Sequence, residues 1–311
     1  MRFRNFTFIL LSALLFLQSC SSFVAIERDN IARSDSAFLS YLKENGIPTS
    51  QENSIMFLDN AQEKFDSLFS DIRKAKHHVH LEYFNFRNDS INSELISLLE
   101  QKASEGVEVR ALFDAFGNMS NDSPLKNKDL EEIRSMGIEI LKFDPIRFPW
   151  INHAYSRDHR KIVVIDGTVG YIGGINVADY YLNGIEGVGK WRDMHSKVEG
   201  PAVADLQRIF LEMWEKESGE HIEGSLYYPD YDFEGPSEVA VVDRWPHRTP
   251  ERMRRAYANA INAAKDSIIL VNPYFLPMPI VRTALEKAGV PAMIYYPVPL
   301  HMQKAYQDAR Y

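Results

Sequence analysis

The sequence predicts an α/β fold built from two similar halves, the second cut short. Three observations carry this. From Asn60 onward, amphipathic helical segments alternate with short apolar runs, the pattern of helices packed on a sheet. The alternation pauses over 217–235, a turn-rich stretch with "YYPDYDFEGPSE" that reads as a linker. The pattern then restarts with a likeness to its first run. "IRKAKHHVHLEYF" (72–84) and "INAAKDSIILVNPYF" (261–275) both give a helix end, Ala-Lys, an apolar strand and Tyr-Phe. A helix, Gly-Val and another strand follow in each.

The elements justify themselves in order. Arg2 and Arg4 precede "FTFILLSALLFLQ", an apolar run too short for a comfortable membrane span, and "LQSCSS" follows with Cys20. This reads as a secretory signal over 1–19. Residues 20–54 are polar, with one helical patch near "SDSAFLSYLKENG", and read as a tether and lead-in. "AQEKFDSLFSDIRKAK" places Phe65, Leu68, Phe69 and Ile72 on one helical face. "HVHLEYFNF" is a buried strand, "INSELISLLEQKASEG" a helix ended by Gly106, and "VEVRALFDAFG" a strand. "KDLEEIRSMG" is a helix closed by Gly137, and "IEILKF" a strand. "KIVVIDGTVGYIGG" is a strand-turn-strand, "DMHSKVEG" a strand, and "PAVADLQRIFLEMWEKES" a helix with Pro201 near its first turn. Beyond the linker come the helix "ERMRRAYANAINAAK", the strand "SIILVNPYF", the helix "MPIVRTALEKAG" and the strand "VPAMIYYP". The expected boundaries are a first domain over 55–216, a linker over 217–236, a truncated second domain over 237–287 and a tail over 288–311.

Composition narrows the function classes. The chain has 311 residues, 45 % of them apolar, and a net charge of −8. A protein that grips nucleic acid through its phosphates usually carries a basic excess, so no nucleic-acid partner is expected. A single cysteine excludes an intrachain disulfide.

The chemistry sits in "RDHRKIVVIDGTVGYIGGINVADYY". In extended chain, residues i and i+2 share a face, so His159 and Lys161 can present an imidazole and an ammonium to one ligand. Imidazole is a competent nucleophile toward phosphorus and a proton shuttle near neutral pH. The ammonium neutralises phosphate oxygens. Asn176 can donate an amide hydrogen bond to the same anion, and Gly173 and Gly174 let backbone come close.

His159, Lys161 and Asp166, followed by Gly-Gly-x-Asn, resemble the His-x-Lys-x4-Asp signature of the phospholipase D superfamily. "EYFNF", "IGGINVADYY" and "WRDMHSKVEGPAVADLQRIFLEMW" are similar to bacterial cardiolipin synthases, over about 55–287. The resemblance implies a mixed sheet flanked by helices in each half, with the site at the seam. It implies that His159 attacks a phosphodiester to form a phosphatidyl-histidine, while Lys161, Asn176 and Gly174 bind the phosphoryl oxygens. Asp166 completes the motif and supports its loop. Asp193 of "WRD" either orients His159 or pairs with a base such as Arg192. The implied substrate is a phosphatidylglycerol-like phospholipid at a membrane, with no cofactor and no metal. Cys20, with Leu17 three before it and Ser19 one before it, resembles a bacterial lipobox. Lipidation there would anchor the protein at the cell envelope, facing the periplasm or exterior; an uncleaved anchor helix is the alternative.

Other residues carry blander readings. His77, His78 and His80 alternate like metal ligands but open a buried strand. Glu82, Tyr83 and Phe84 either line the pocket or pack the core. "HSK" at 195–197 copies the His-x-Lys spacing without the Asp or the glycines.

The family's second His-x-Lys motif would fall near 350, beyond residue 311. "HMQKAYQDARY" offers His301 and Asp308, but Lys304 is one residue out of register. "ALEKAGVPAMIYYPVPLHMQKAYQDARY" is instead similar to the C-terminal region of DegT-type sugar aminotransferases, without that family's cofactor lysine. The sequence therefore reads as a cardiolipin-synthase-like body joined to a foreign tail by gene fusion or an assembly error. With one motif it is expected to be weakly active or inactive unless two copies meet as a homodimer. A dimeric phospholipase or nuclease-type phosphodiesterase, and a non-catalytic lipid-binding lipoprotein, are the rival readings.

Overall fold

The computed structural model describes residues 31–145, 157–187, 189–244, 251–270 and 277–289. The signal segment with Cys20, the last expected strand and His301 lie outside these residues. Two compact units divide the chain, the larger spanning Leu39–Met253.

The larger unit is one eight-stranded mixed sheet. Its strands are β1 (Thr49–Leu58), β2 (His78–Tyr83), β3 (Glu108–Asp114), β4 (Glu139–Phe143), β5 (Ile162–Ile165), β6 (Val169–Gly173), β7 (His195–Glu199) and β8 (Ser237–Ala240). They lie in the order β4-β3-β2-β5-β6-β7-β1-β8. β2, β3 and β4 run parallel; every other neighbouring pair is antiparallel. A short α1 (Asp35–Glu44) precedes β1, and α2 (Ala61–Lys74) connects β1 to β2. The parallel pairs need crossovers, supplied by α3 (Ser90–Ser104) and by α4 (Ala115–Ser120) with α5 (Asn127–Ser135).

Helix starts follow the sequence chemistry. Asn60 caps α2 by accepting from the Glu63 N–H at 3.0 Å, and the Glu63 carboxylate accepts from the Asp59 N–H at 3.0 Å. Gly106 and Gly137 close α3 and α5 with φ of 91° and 84°, the left-handed conformation glycine tolerates best.

α2 and α3 cover one face of the sheet through Phe65, Leu68, Ile72, Leu95 and Leu99, packed on Val79, Leu81 and Val163. Between β6 and β7 lies the one-turn helix α6 (Tyr180–Asn183). The opposite face is covered by α7 (Val203–Ser218), whose Leu206 and Ile209 meet Ile162 and Val164. Phe210 and Trp214 of the same helix meet Leu112 and Phe143. With both faces covered, all six residues of β2 are buried.

The structure differs from the expected boundaries at two places. β1 begins at Thr49, inside the stretch read as tether, and pairs along the sheet with β7 and β8. Asn53, buried in that strand, accepts from the Ala202 N–H at 2.8 Å and donates to Ser50 and Gln51 carbonyls. β8 begins where a second domain was expected, yet it is the edge strand of the first sheet. Strand partnership across the sheet leaves no local periodicity, so both were invisible to pattern reading.

The smaller unit holds most of α8 (Arg252–Ala263) and α9 (Pro279–Lys287), packed through Ala258, Ile261, Ala284 and Leu285. The strand expected at "SIILVNPYF" is not formed over its described part, 267–270, where Ile269 is 83 % exposed.

Candidate active site

The segment carrying His159 is held from below by Asp114, at the end of β3. This buried carboxylate accepts from the Phe116 and Gly117 amides at the start of α4, both at 2.8 Å. It also accepts from Arg157 Nε at 3.0 Å and the Asp158 N–H at 2.9 Å. Arg157 in turn donates to the Phe143 and Asp144 carbonyls beyond β4. One acidic residue thus ties a helix start, a strand end and the approach to His159 together.

Beyond that clamp the side chains alternate. Arg160 turns toward a buried acidic group, pairing with Glu82 at 3.2 Å, Asp158 at 3.4 Å and Asp243 at 2.7 Å. Burial, then the charge of Asp158, pushes the Glu82 carboxyl up, and Arg160 opposes both.

His159 and Lys161 meet at Phe84. The His159 ring lies 4.6 Å from the Phe84 ring centroid to centroid, and Lys161 Nζ is 5.4 Å from the same centroid. Lys161 Nζ also donates to the His159 carbonyl at 2.8 Å. His159 is exposed and Lys161 is buried. Crowding of the imidazole's inner side, then the Lys161 charge, lowers the His159 pKa, while Asp158 and Asp193 pull the other way. The ring is therefore neutral near pH 7, the form with a lone pair to give. Burial lowers Lys161 to about 8, against the attraction of Asp158, Asp193 and Asp114.

The glycine pair admits part of the chain itself. A Cβ on Gly174 would collide with the Asp193 carboxylate, and one on Gly173 would lie 2.5 Å from His195 Cα. The Gly174 N–H donates to the Met194 carbonyl at 2.9 Å, and the Met194 N–H to Asp193 Oδ1 at 2.8 Å. The Asp193 carboxylate is thereby set against the Gly174 turn.

Asn176 is buried and braces the site wall. Its Nδ2 donates to the Tyr181 hydroxyl at 3.1 Å, and its Oδ1 accepts from the Asn85 N–H at 3.4 Å. Asp166 lies at the far end of β5 from His159. With φ of 51°, it accepts from the Lys76, His77 and His78 amides at 2.8, 2.8 and 3.0 Å. It pins the start of β2, a contact of the supporting kind expected of it.

The histidine alternation also resolves into packing. His80 Nδ1 is 2.9 Å from Gln207 Nε2, and its ring stacks on Phe210 at 4.5 Å. No group of three or more His, Cys, Asp or Glu side chains able to hold a metal occurs among the described residues. In "HSK", Lys197 pairs with Asp71 at 2.7 Å and His195 is buried. Asp114 and the Arg160 group were not read from the sequence. An Asp ending an apolar strand before "AFG" was the available signal for the first; nothing local signalled the second.

A family profile described as cardiolipin synthase, PLD-like domain, matches residues 68–214. The cardiolipin synthase of Geobacillus kaustophilus (strain HTA426) is 39 % identical over 250 residues, covering 78 % of this chain and 48 % of that protein. The cardiolipin synthase of Listeria monocytogenes serotype 4b (strain CLIP80459) is 35 % identical over 252 residues, covering 80 % and 52 %. This chain spans about half the length of the curated relatives it matches. Among solved structures, phosphatidylserine synthase of Haemophilus influenzae Rd KW20 superposes with a TM-score of 0.57 at 14 % identity, covering 80 % of this chain and 62 % of that one. That is a likeness of fold.

Proposed function

Since this chain belongs to the phospholipase D superfamily and is cardiolipin synthase-like, we propose that it transfers a phosphatidyl group between alcohols through a histidine adduct. The donor would be a phosphatidylglycerol-like phospholipid. The observation that supports this most directly is the meeting of an exposed His159 and a buried Lys161 on one aromatic ring.

In the first step a ring nitrogen of His159 forms a bond to phosphorus, and the bond from phosphorus to the headgroup oxygen breaks. Lys161 neutralises the phosphoryl oxygens, and Asn176 has a second amide hydrogen to offer them. Asp193 balances the positive charge that develops on the ring. In the second step an acceptor alcohol attacks the same phosphorus, and the nitrogen–phosphorus bond breaks to regenerate His159.

The departing alkoxide needs a proton, and the accepting alcohol must lose one. The 311 residues contain one His-x-Lys-x4-Asp motif. We propose that this proton is handled by a second group brought to the phosphoryl site, such as a histidine of another copy of the chain. The net charge of −8 disfavours a nucleic-acid phosphodiester as substrate. No described helix is long and apolar enough to cross a membrane. A lipid on Cys20 is the proposed means of holding the site at a bilayer.

Headgroup exchange in detergent from phosphatidylglycerol labelled at phosphorus, with protein quenched in alkaline denaturant and examined for a labelled phosphoryl-histidine, tests the reading. Label on the wild type that is absent from His159→Ala supports it. Label retained by His159→Ala defeats it.

A further inference from the structure

Beside the phosphoryl-binding lysine lies a set of buried polar side chains that the reaction above leaves unused. Lys64 projects from near the start of α2 and is fully buried. Its Nζ lies 3.7 Å from the Phe65 ring centroid and 5.0 Å from that of Tyr83, with no hydrogen-bond partner. The Tyr83 hydroxyl and both ring nitrogens of His195 are likewise buried without partners.

Strand register puts these groups in one row. Glu82 pairs with Ile162, Ile162 with Ile172, and Gly173 with His195. One step along, the row holds Tyr83, Lys161, Gly173 and His195, with Lys64 reaching it from α2. The titratable groups on the elements around Lys64 are Tyr83 from β2, Lys161 before β5, His195 from β7, and Tyr180 and Tyr181 from α6. Asp71, farther along α2, is already engaged by Lys197, Lys74 and Tyr171. No carboxylate among the described residues pairs with Lys64.

Burial drives Lys64 toward the neutral amine. Burial, then Lys64 and Lys161, drive His195 toward neutral imidazole. The row beside Lys161 holds no carboxylate of its own, and Lys161 is where an anion would arrive.

We propose that Lys64, with His195 of the same row, is a proton-linked positioning layer of the phosphoryl site. When a phosphodiester anion seats on Lys161, the Lys64 amine takes up one proton from solvent. The added charge holds the anion without touching it. This rests on Lys161 being the phosphoryl-binding group.

The test is the pH dependence of diethyl phosphate binding, followed by phosphorus NMR on the full chain carrying His159→Gln. That probe keeps one negative charge throughout, and the substitution removes reaction and titration at the nucleophile. Affinity is expected to fall from pH 6 to 10. Adding Lys64→Met should make the fall shallower by up to tenfold per pH unit, the slope that one linked proton gives. Lys64→Arg, charged throughout, should remove the same step and leave only the fall that Lys161 causes through about pH 8. A fall unchanged by Lys64→Met, in protein whose binding is lost with Lys161→Met, overturns this inference alone. Absence of any Lys161-dependent binding overturns the phosphoryl-site reading with it.

Discussion

The two ends of β5 carry two parts of one motif and are built in opposite ways. At the Asp166 end each carboxylate oxygen accepts at least one backbone N–H, and the residue holds a strained φ to do so. At the His159 end the ring is exposed, and the lysine beside it makes one hydrogen bond, to a carbonyl. A closed end gives stability and an open end keeps chemistry available. A motif read as one catalytic unit is therefore two devices separated by a four-residue strand.

Four substitutions or titrations would break or sharpen that contrast. The largest effect belongs to the open end. His159→Ala should cost labelled-adduct formation on the order of 10⁴-fold or more, as loss of a nucleophile does, with the thermal midpoint unchanged. Gly174→Ala comes next. Its methyl would displace the Asp193 carboxylate, and a shift of that size near the reacting groups should cost roughly 10²-fold in rate. A crystal structure of Gly174→Ala with the Asp193 carboxylate displaced would confirm the clash as the cause.

The pH profile is gentler, about tenfold per unit on each limb. His159 acts neutral and its pKa is lowered, so kcat/KM should rise with pH along a limb lying below 6.5. Lys161 acts charged and its pKa is about 8, so the upper limb should fall through about that pH. Lys161→Arg should carry that upper limb beyond the accessible range. The smallest effect on rate is expected at the closed end. Asp166→Ala should lower stability by about 2–4 kcal/mol through the lost amide contacts, yet leave the rate of the folded protein within a few-fold. Denaturant unfolding run beside the assay separates the two. A rate loss rivalling that of His159→Ala, in protein still folded, would erase the distinction between the ends.

Much of this was legible before any coordinates. The helices over 61–74, 90–104 and 203–218 follow from amphipathic spacing and caps, and β2 from the short alternating run "HVHLEY". The pairing of His159 with Lys161 follows from a two-residue spacing in extended chain. The role of Asp114 was not legible, because its partners Arg157 and Asp158 lie 43 and 44 residues away in sequence. β1 was read as tether because its exposed residues outnumber its buried ones, and a strand's membership in a sheet depends on neighbours such as Glu199 and Ala240.

By itself, then, the amino-acid sequence determined the α/β alternation, the half-site motif and the residue types its chemistry needs, since periodicity, caps and two-residue spacing are properties of adjacent residues. Only the tertiary structure decided that Phe84 lies under His159, that Asp193 occupies the space a Gly174 side chain would take, and that Asp166 faces away from the site. It also decided that Lys64 and His195 are buried unpartnered in the row of Lys161. Those are outcomes of strand order and helix packing, which bring together residues as far apart in sequence as Asn53 and Ala202. Burial, and with it every shifted pKa at the site, exists only once that packing has removed the water.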